Sequence, residues 1–180
     1  MVHPSERTVL VVEDEPDVSL FLQTVLEDAG FRVLVAGDGE TAWRMIVEQR
    51  PDFISLDLIL PRRSGRRLLR DLRADPELAR IPVLLVTAHA HDGLGREGPE
   101  DVLNNFVLEG PGRLLEKPVD PAEFVRCVAD VLGVTLDREF ERRVGLRSRA
   151  ERLIAEADPE RLRRALEILE SDHSETESRS

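Results

Sequence analysis

The sequence predicts an α/β fold, a doubly wound five-stranded parallel sheet with a C-terminal helical extension, and three observations carry that expectation. Short apolar runs of strand length alternate with longer segments of helical periodicity, at the spacing of βαβ units. Such units imply parallel strands joined by right-handed crossovers. Acids, a threonine and a lysine gather where the apolar runs stop, the edge at which an open parallel sheet forms its ligand crevice.

Thr8 to Val12 is the first apolar run and ends in Glu13-Asp14-Glu15. Pro16 suits the opening turn of a helix whose stripe is Val18, Phe21, Leu22, Val25 and Leu26, and Gly30 closes it. Phe31 to Ala36 is the second strand, Gly37-Asp38-Gly39 a turn, and Glu40 to Gln49 the second helix, with Ala42, Trp43, Ile46 and Val47 inward. Trp43 is expected to pack in the core rather than to stack with a partner. Pro51 leads into the third strand, Phe53 to Asp57, and Ser64 to Arg73 places Leu68, Leu69 and Leu72 at helical spacing. Asp75-Pro76 reads as a cap with a first-turn proline, and Ile81-Pro82-Val83 leads into the fourth strand, whose apolar run Val83 to Val86 is followed by Thr87.

Beyond Thr87 the pattern loosens. His89, His91, Asp92, Gly93, Gly95, Gly98 and Pro99 make a loop rich in breakers before a helical piece around Glu100 to Leu108. Leu114 to Glu116 is the fifth strand, and Asp120-Pro121-Ala122-Glu123 opens a last sheet-covering helix as a capping box that runs to Leu132 before Gly133.

Asp57 poses the central question. An ionised carboxylate at the end of a buried apolar strand is costly unless paired charges or a metal compensate it. The compensation is available from three other strand ends: Glu13-Asp14-Glu15, Thr87, and Lys117-Pro118. Each alone has a bland reading, as a solvated acidic loop, a common strand-end threonine or an uninformative Lys-Pro. Together, at successive positions of one sheet edge, they point to a functional crevice.

Val-Leu-Val-Val-Glu-Asp-Glu-Pro at 9–16, Asp57 with Pro61 and Gly65, Thr87-Ala88 and Lys117-Pro118 resemble the receiver domain of two-component response regulators. The resemblance covers roughly the first three quarters of the chain and implies the flavodoxin-like receiver fold. It also implies that Asp57 takes up a phosphoryl group from a histidine kinase or a histidine phosphotransfer protein, with autodephosphorylation but no enzyme activity of the ordinary kind. Mg2+ would be held by Asp14, Asp57 and the backbone carbonyl of Ile59, with Glu13 assisting directly or through water. Lys117, before a cis proline, would pair with Asp57 and then with the phosphoryl group, and the Thr87 hydroxyl would donate to the phosphoryl oxygens. Two departures stand out: Leu114 replaces the family's switch aromatic, and the stretch from Thr87 to Lys117 is longer than usual by about two helical turns. His89 falls where the family tunes access of water to the phosphoryl group.

Composition bounds the alternatives. With 25 basic and 36 acidic residues in 180, the formal charge is −11, which opposes non-specific attraction to nucleic acid or anionic membranes. Cys127, the single cysteine, sits in a helical apolar pattern and reads as a core residue. No run is long enough to span a bilayer and the N-terminus lacks a signal-peptide pattern, so a soluble cytoplasmic protein is expected. Gly93-Leu94-Gly95-Arg96-Glu97-Gly98 spells GxGxxG, but six residues separate it from the end of a strand, so loop glycines explain it better than a dinucleotide site. A phosphatase with an aspartyl-phosphate intermediate would want a second acid two residues after Asp57, where Ile59 stands.

The receiver is expected over residues 1–134 and a helical extension with a frayed polar end over 135–180. Leu136, Phe140 and Val144 share one helical face; Asp158-Pro159 caps a further helix with Leu162, Leu166 and Leu169 on one side. Such narrow stripes need a partner surface, which favours output through protein contacts, with an unknown downstream protein or in a homodimer. The competing reading is a DNA-binding regulator using the tail arginines Arg138, Arg142, Arg143, Arg147, Arg149, Arg152, Arg161, Arg163 and Arg164. Interleaved acids there look more like ion-paired helix faces than a phosphate-tracking stripe.

Overall fold

The computed structural model describes residues 2–87 and 112–140, and in the tail residues 142, 146, 158, 160, 161, 163 and 164. The chain divides into two compact units, Met1–Glu141 and Arg142–Ser180.

In the first unit, β1 (Thr8–Val12), β2 (Arg32–Ala36), β3 (Phe53–Leu56), β4 (Val83–Thr87) and β5 (Gly112–Glu116) form one sheet in the order β2-β1-β3-β4-β5. Every pairing is parallel. The chain steps left from β1 to β2 and then right across β3, β4 and β5, so right-handed crossovers put helices on both faces. Helix α1 (Pro16–Asp28) packs beside α4 (Pro121–Leu132), and α2 (Gly39–Gln49) beside α3 (Gly65–Ala74).

Side chains alternate across the sheet, so each strand feeds two cores. Leu10, Val12, Ile54, Leu56, Val83 and Leu85 meet Ala42, Ile46, Leu68, Leu69, Leu72 and Leu78 in one apolar cluster. Their alternate neighbours Val9, Val11, Leu84 and Val86 are buried as well, as are Leu22, Leu26, Phe124, Val125 and Val128 of α1 and α4. Cys127 is buried on α4, as its apolar surroundings in sequence imply.

The helix ends follow their local chemistry. Asp38 caps α2 by accepting from the amides of Glu40 and Thr41, Ser64 caps α3 through Arg67, and Asp120 caps α4 through Glu123. Asp75 accepts from the amides of Glu77 and Leu78, but the turn it opens is a single 3-10 turn at Leu78–Arg80 rather than a helix. Strand β5 starts two residues before Leu114.

One expectation for α2 is corrected and another is extended. Val47 is 44% exposed rather than inward. The buried face centres on Gly39, Ala42 and Ile46, with Met45 packed against the cluster, which turns position 47 to the outer flank. Trp43 is half-buried against the same cluster, and the Arg63 guanidinium lies 4.5 Å from its ring centroid, so the indole both packs and stacks.

After α4, Gly133 takes the left-handed conformation at φ 62° and Val134 forms an isolated parallel bridge with Val2. Leu136 is half-buried and Phe140 buried, within a compact unit that extends to Glu141. In the second unit Asp158 accepts from the amides of Glu160 and Arg161 at 3.1 and 3.0 Å, the capping expected of it. Val144, Leu162, Leu166 and Leu169 lie outside the described residues. No helix among the described residues is long and apolar enough to cross a membrane.

Candidate functional site

Parallel pairing lines up the carboxyl ends of the strands, and the residues just past them are tied to the last rungs of the sheet. The Glu13 amide donates to the Ala36 carbonyl and the Asp57 amide to the Val12 carbonyl, each at 3.0 Å. Glu13 is therefore fixed one residue beyond β1, and Asp57 one residue beyond β3. Register pairs Thr87 with Glu116 on the far side, which sets Lys117 immediately beyond the end of β4.

These positions bring Glu13, Asp14 and Asp57 together, with one carboxylate oxygen of each lying within 4.8 Å of the others. Glu13 and Asp57 are buried, at 2% and 6% exposure, while Asp14 faces solvent. The Lys117 ammonium stands 2.8 Å from Asp57 Oδ2, 2.9 Å from Glu13 Oε2 and 3.3 Å from Glu15 Oε1. The other Asp57 oxygen, Oδ1, accepts from the Ile59 amide at 2.9 Å. The Lys117-Pro118 peptide bond is cis, as the resemblance implies.

Burial and charge pull against each other here. Desolvation raises the Glu13 carboxyl above its ordinary value, and the nearby Asp57 charge adds to that; contact with Lys117 and the Glu15 amide only partly offset them. For Lys117, burial on its own would lower the ammonium, but its contacts with Asp57 and Glu13, and their charges, outweigh it and raise the group above its ordinary value. The lysine is thus a fixed cation through the whole neutral range.

The donor set suits a hard divalent cation. All three clustered side chains offer carboxylate oxygens, one of them open to solvent, the pattern magnesium accepts while keeping several waters. Glu13 Oε2 is buried with no hydrogen-bond donor aligned on it, although it lies in ion-pair contact with Lys117. That leaves lone-pair capacity directed at the cluster.

The loop after Asp57 is held against two neighbours. A Cβ added at Gly65 would meet the Asp57 carbonyl oxygen at 2.1 Å and the Leu58 Cα at 2.8 Å, and the Gly65 amide donates to the Leu58 carbonyl. A Cβ at Gly39 would meet the Arg63 carbonyl oxygen at 1.9 Å. Only glycine allows α3 and α2 to approach this loop so closely. Arg62 donates to Asp38 Oδ2 at 2.9 Å, and Arg63 pairs with Asp71 while covering Trp43. Asp38 sits below its ordinary value because of the Thr41 amide first, then the Thr41 hydroxyl, Arg62 and the Glu40 amide, with burial opposing them.

Of the residues singled out in the sequence, Glu13, Asp14, Asp57 and Lys117 converge. Ile59 is half-exposed at the rim and contributes its amide to Asp57. Thr87 ends β4 at the expected height, while its side chain lies outside the described residues. The same holds for His89, His91 and the stretch 93–98. Leu114 is half-buried against the apolar cluster. Sequence reasoning gave no role to Glu15, Gly39, Arg62 or Arg63. Glu15 was visible only as the third member of an acidic run, and its contact with Lys117 spans 102 positions.

Residues 9–129 match the response regulator receiver domain family. Over 129 residues the chain is 33% identical to the phosphate regulon transcriptional regulatory protein PhoB of Pseudomonas aeruginosa, covering 72% of this chain and 53% of that one. To protein Rrf1 of Nitratidesulfovibrio vulgaris it is 34% identical over 125 residues, covering 69% of this chain and 82% of the relative. The chain spans about half the length of the transcriptional regulators it matches, 53% of PhoB and 49% of the DNA-binding response regulator MtrA of Mycolicibacterium smegmatis. Among solved structures, the receiver domain of a sensor histidine kinase from Pseudomonas aeruginosa, which has a magnesium ion coordinated in its active-site cleft, matches with a TM-score of 0.61 at 31% identity. That match covers 71% of this chain and 98% of the other. The chemotaxis response regulator CheY4 of Vibrio cholerae matches at 0.59 and 25% identity, over 69% of this chain and 98% of that one. A match running from β1 into α4, joined by likeness in sequence and in fold to proteins of one kind, makes this chain a member of the response regulator receiver domain family, the signal-accepting part of two-component systems.

Proposed function

We propose that Asp57 is the phosphoacceptor, taking a phosphoryl group from a histidine kinase or a histidine phosphotransfer protein and passing the signal on through protein contacts. The observation that carries this reading is the poise of Asp57: a buried carboxylate with one oxygen on the Lys117 ammonium, the other on the Ile59 amide, and two further acids beside it. In the reaction an Asp57 oxygen forms the new bond to phosphorus as the phosphorus–nitrogen bond of the donor breaks and the imidazole leaves. Lys117 and the Ile59 amide then face the charge spread over the phosphoryl oxygens. Glu13, Asp14 and Asp57 would hold magnesium, which when bound neutralises part of that charge. Acceptor turnover by hydrolysis would make the mark transient without making the protein an enzyme of the ordinary kind.

Labelling with a small phosphoryl donor tests the reading. Uptake should require magnesium and vanish in Asp57→Asn, and Asp14→Asn should weaken magnesium affinity while leaving the fold intact, since Asp14 is exposed. Full labelling of Asp57→Asn would sink it.

For the output we favour protein contacts made by the segment beyond Glu141, with a downstream protein or a second copy. DNA binding through the arginine-rich tail is the runner-up, supported by relatives that are DNA-binding regulators but opposed by the net charge of −11. Removing residues after Glu141 should spare labelling at Asp57 and abolish self-association or partner binding. DNA binding that falls steeply with salt and is lost on the same deletion would promote the runner-up.

A further inference from the structure

We propose that Glu15 is a positioning residue that acts through Lys117, holding the ammonium on the solvent side of the acid cluster and so setting how readily it turns to an incoming phosphoryl group. The proposal rests on the assignment of Asp57 as phosphoacceptor. An ammonium has three N–H donors. Lys117 faces three carboxylates, Asp57 Oδ2 at 2.8 Å, Glu13 Oε2 at 2.9 Å and Glu15 Oε1 at 3.3 Å. The lysine donates aligned hydrogen bonds to Asp57 and Glu15 and lies in ion-pair contact with Glu13, so it turns toward an anion arriving at Asp57 more readily when one of these contacts lets go.

Their burial decides which one yields. Leaving Glu13 or Asp57 would strand a desolvated charge, since they are 2% and 6% exposed. The Glu15 side chain is 65% exposed, and water takes over its ion pair at little cost. Glu15 occupies the N-cap position of α1, yet its side chain makes no capping hydrogen bond there. Its carboxylate is therefore available to the lysine, and the fold does not depend on it. Substituting it perturbs the reach of Lys117 and nothing else that the described residues show.

The test uses the full chain, acetyl phosphate as donor, and magnesium. Glu15→Gln should take up phosphate about two- to fivefold faster than wild type, the range expected for releasing one exposed ion pair, with an unchanged melting temperature. Glu15→Asp separates contact from charge, because it keeps the charge but withdraws the carboxylate by one methylene. If contact is what matters, Glu15→Asp matches Glu15→Gln. Equal rates for all three proteins overturn the proposal, and so does a Glu15→Asp protein that keeps the wild-type rate while Glu15→Gln is fast, since that is a field effect. A wild-type protein that takes up no phosphate overturns the Asp57 assignment itself, a result that no behaviour of the Glu15 variants can mimic.

Discussion

Gly65 rests its α-carbon against the backbone of Asp57 so closely that an added methyl would stand 2.1 Å from the aspartate's carbonyl oxygen. The obstacle is backbone on a loop already held by the Gly65–Leu58 hydrogen bond, so it cannot swing aside. Gly65→Ala should destabilise the fold by about 2 kcal/mol and slow labelling of Asp57 by about a hundredfold through misplacement of the carboxylate. Gly37→Ala is the control, because a Cβ there meets nothing within 4 Å. Denaturant melts and labelling rates of the pair decide it: if both variants melt and label alike, the close approach at Gly65 does not matter.

Lys117 compensates two buried acids at once. Lys117→Met should therefore cost about 3 kcal/mol of stability at neutral pH without metal, the effect of leaving buried charge unpaired. Magnesium should restore more stability to this variant than it gives to wild type, since the emptied cluster is more negative. Melting curves with and without magnesium test this, and an equal metal response in the two proteins would refute it.

Glu13 gives a pH dependence of definite sign. A carboxyl held above its ordinary 4.5 binds its proton more tightly in the folded chain than in the unfolded one. Wild type therefore loses stability from this group as pH rises from about that ordinary value through the raised one. Glu13→Gln removes the loss, so in chelator it should pull ahead of wild type with rising pH and converge on it in acid. A stability gap that is flat between acid and neutral pH would exclude the mechanism.

Arg50 closes α2 in the left-handed region, at φ 48° and ψ 64°, with its amide on the Ile46 carbonyl. Glycine adopts that conformation without a Cβ clash, and the Arg50–Glu77 ion pair it would forfeit is exposed on both sides. Arg50→Gly should raise stability by about 0.5 to 1 kcal/mol, read as a higher denaturant midpoint at unchanged slope.

Most of the sheet was legible because its signals are local. Largely apolar runs mark β1, β3 and β4, and the cap at Asp120 needs only the three residues after it to declare itself. The four converging site residues were legible because strand ends in a parallel sheet share one edge. What sequence could not give depends on contacts between distant segments. Val47 turned out exposed because the buried arc of α2 is set by where Met45 and Ile46 meet the cluster. Trp43 stacks because Arg63, twenty positions away, folds over it. Gly39 reads in sequence as a turn glycine, yet it is the Arg63 backbone that forbids a side chain there.

The bridge between Val2 and Val134 fixes where the tail begins. Helix α4 starts beyond the carboxyl end of β5 and runs back for 12 residues, about 18 Å at the usual rise, before Val134 pairs beside the start of the chain. The root of the tail and Asp57 therefore occupy opposite poles of the sheet. A bulky group fused ahead of Val2 would start beside that root, far from the acid cluster. It should therefore leave phosphate uptake unchanged, which makes an amino-terminal label the safer handle for measuring the labelling of Asp57.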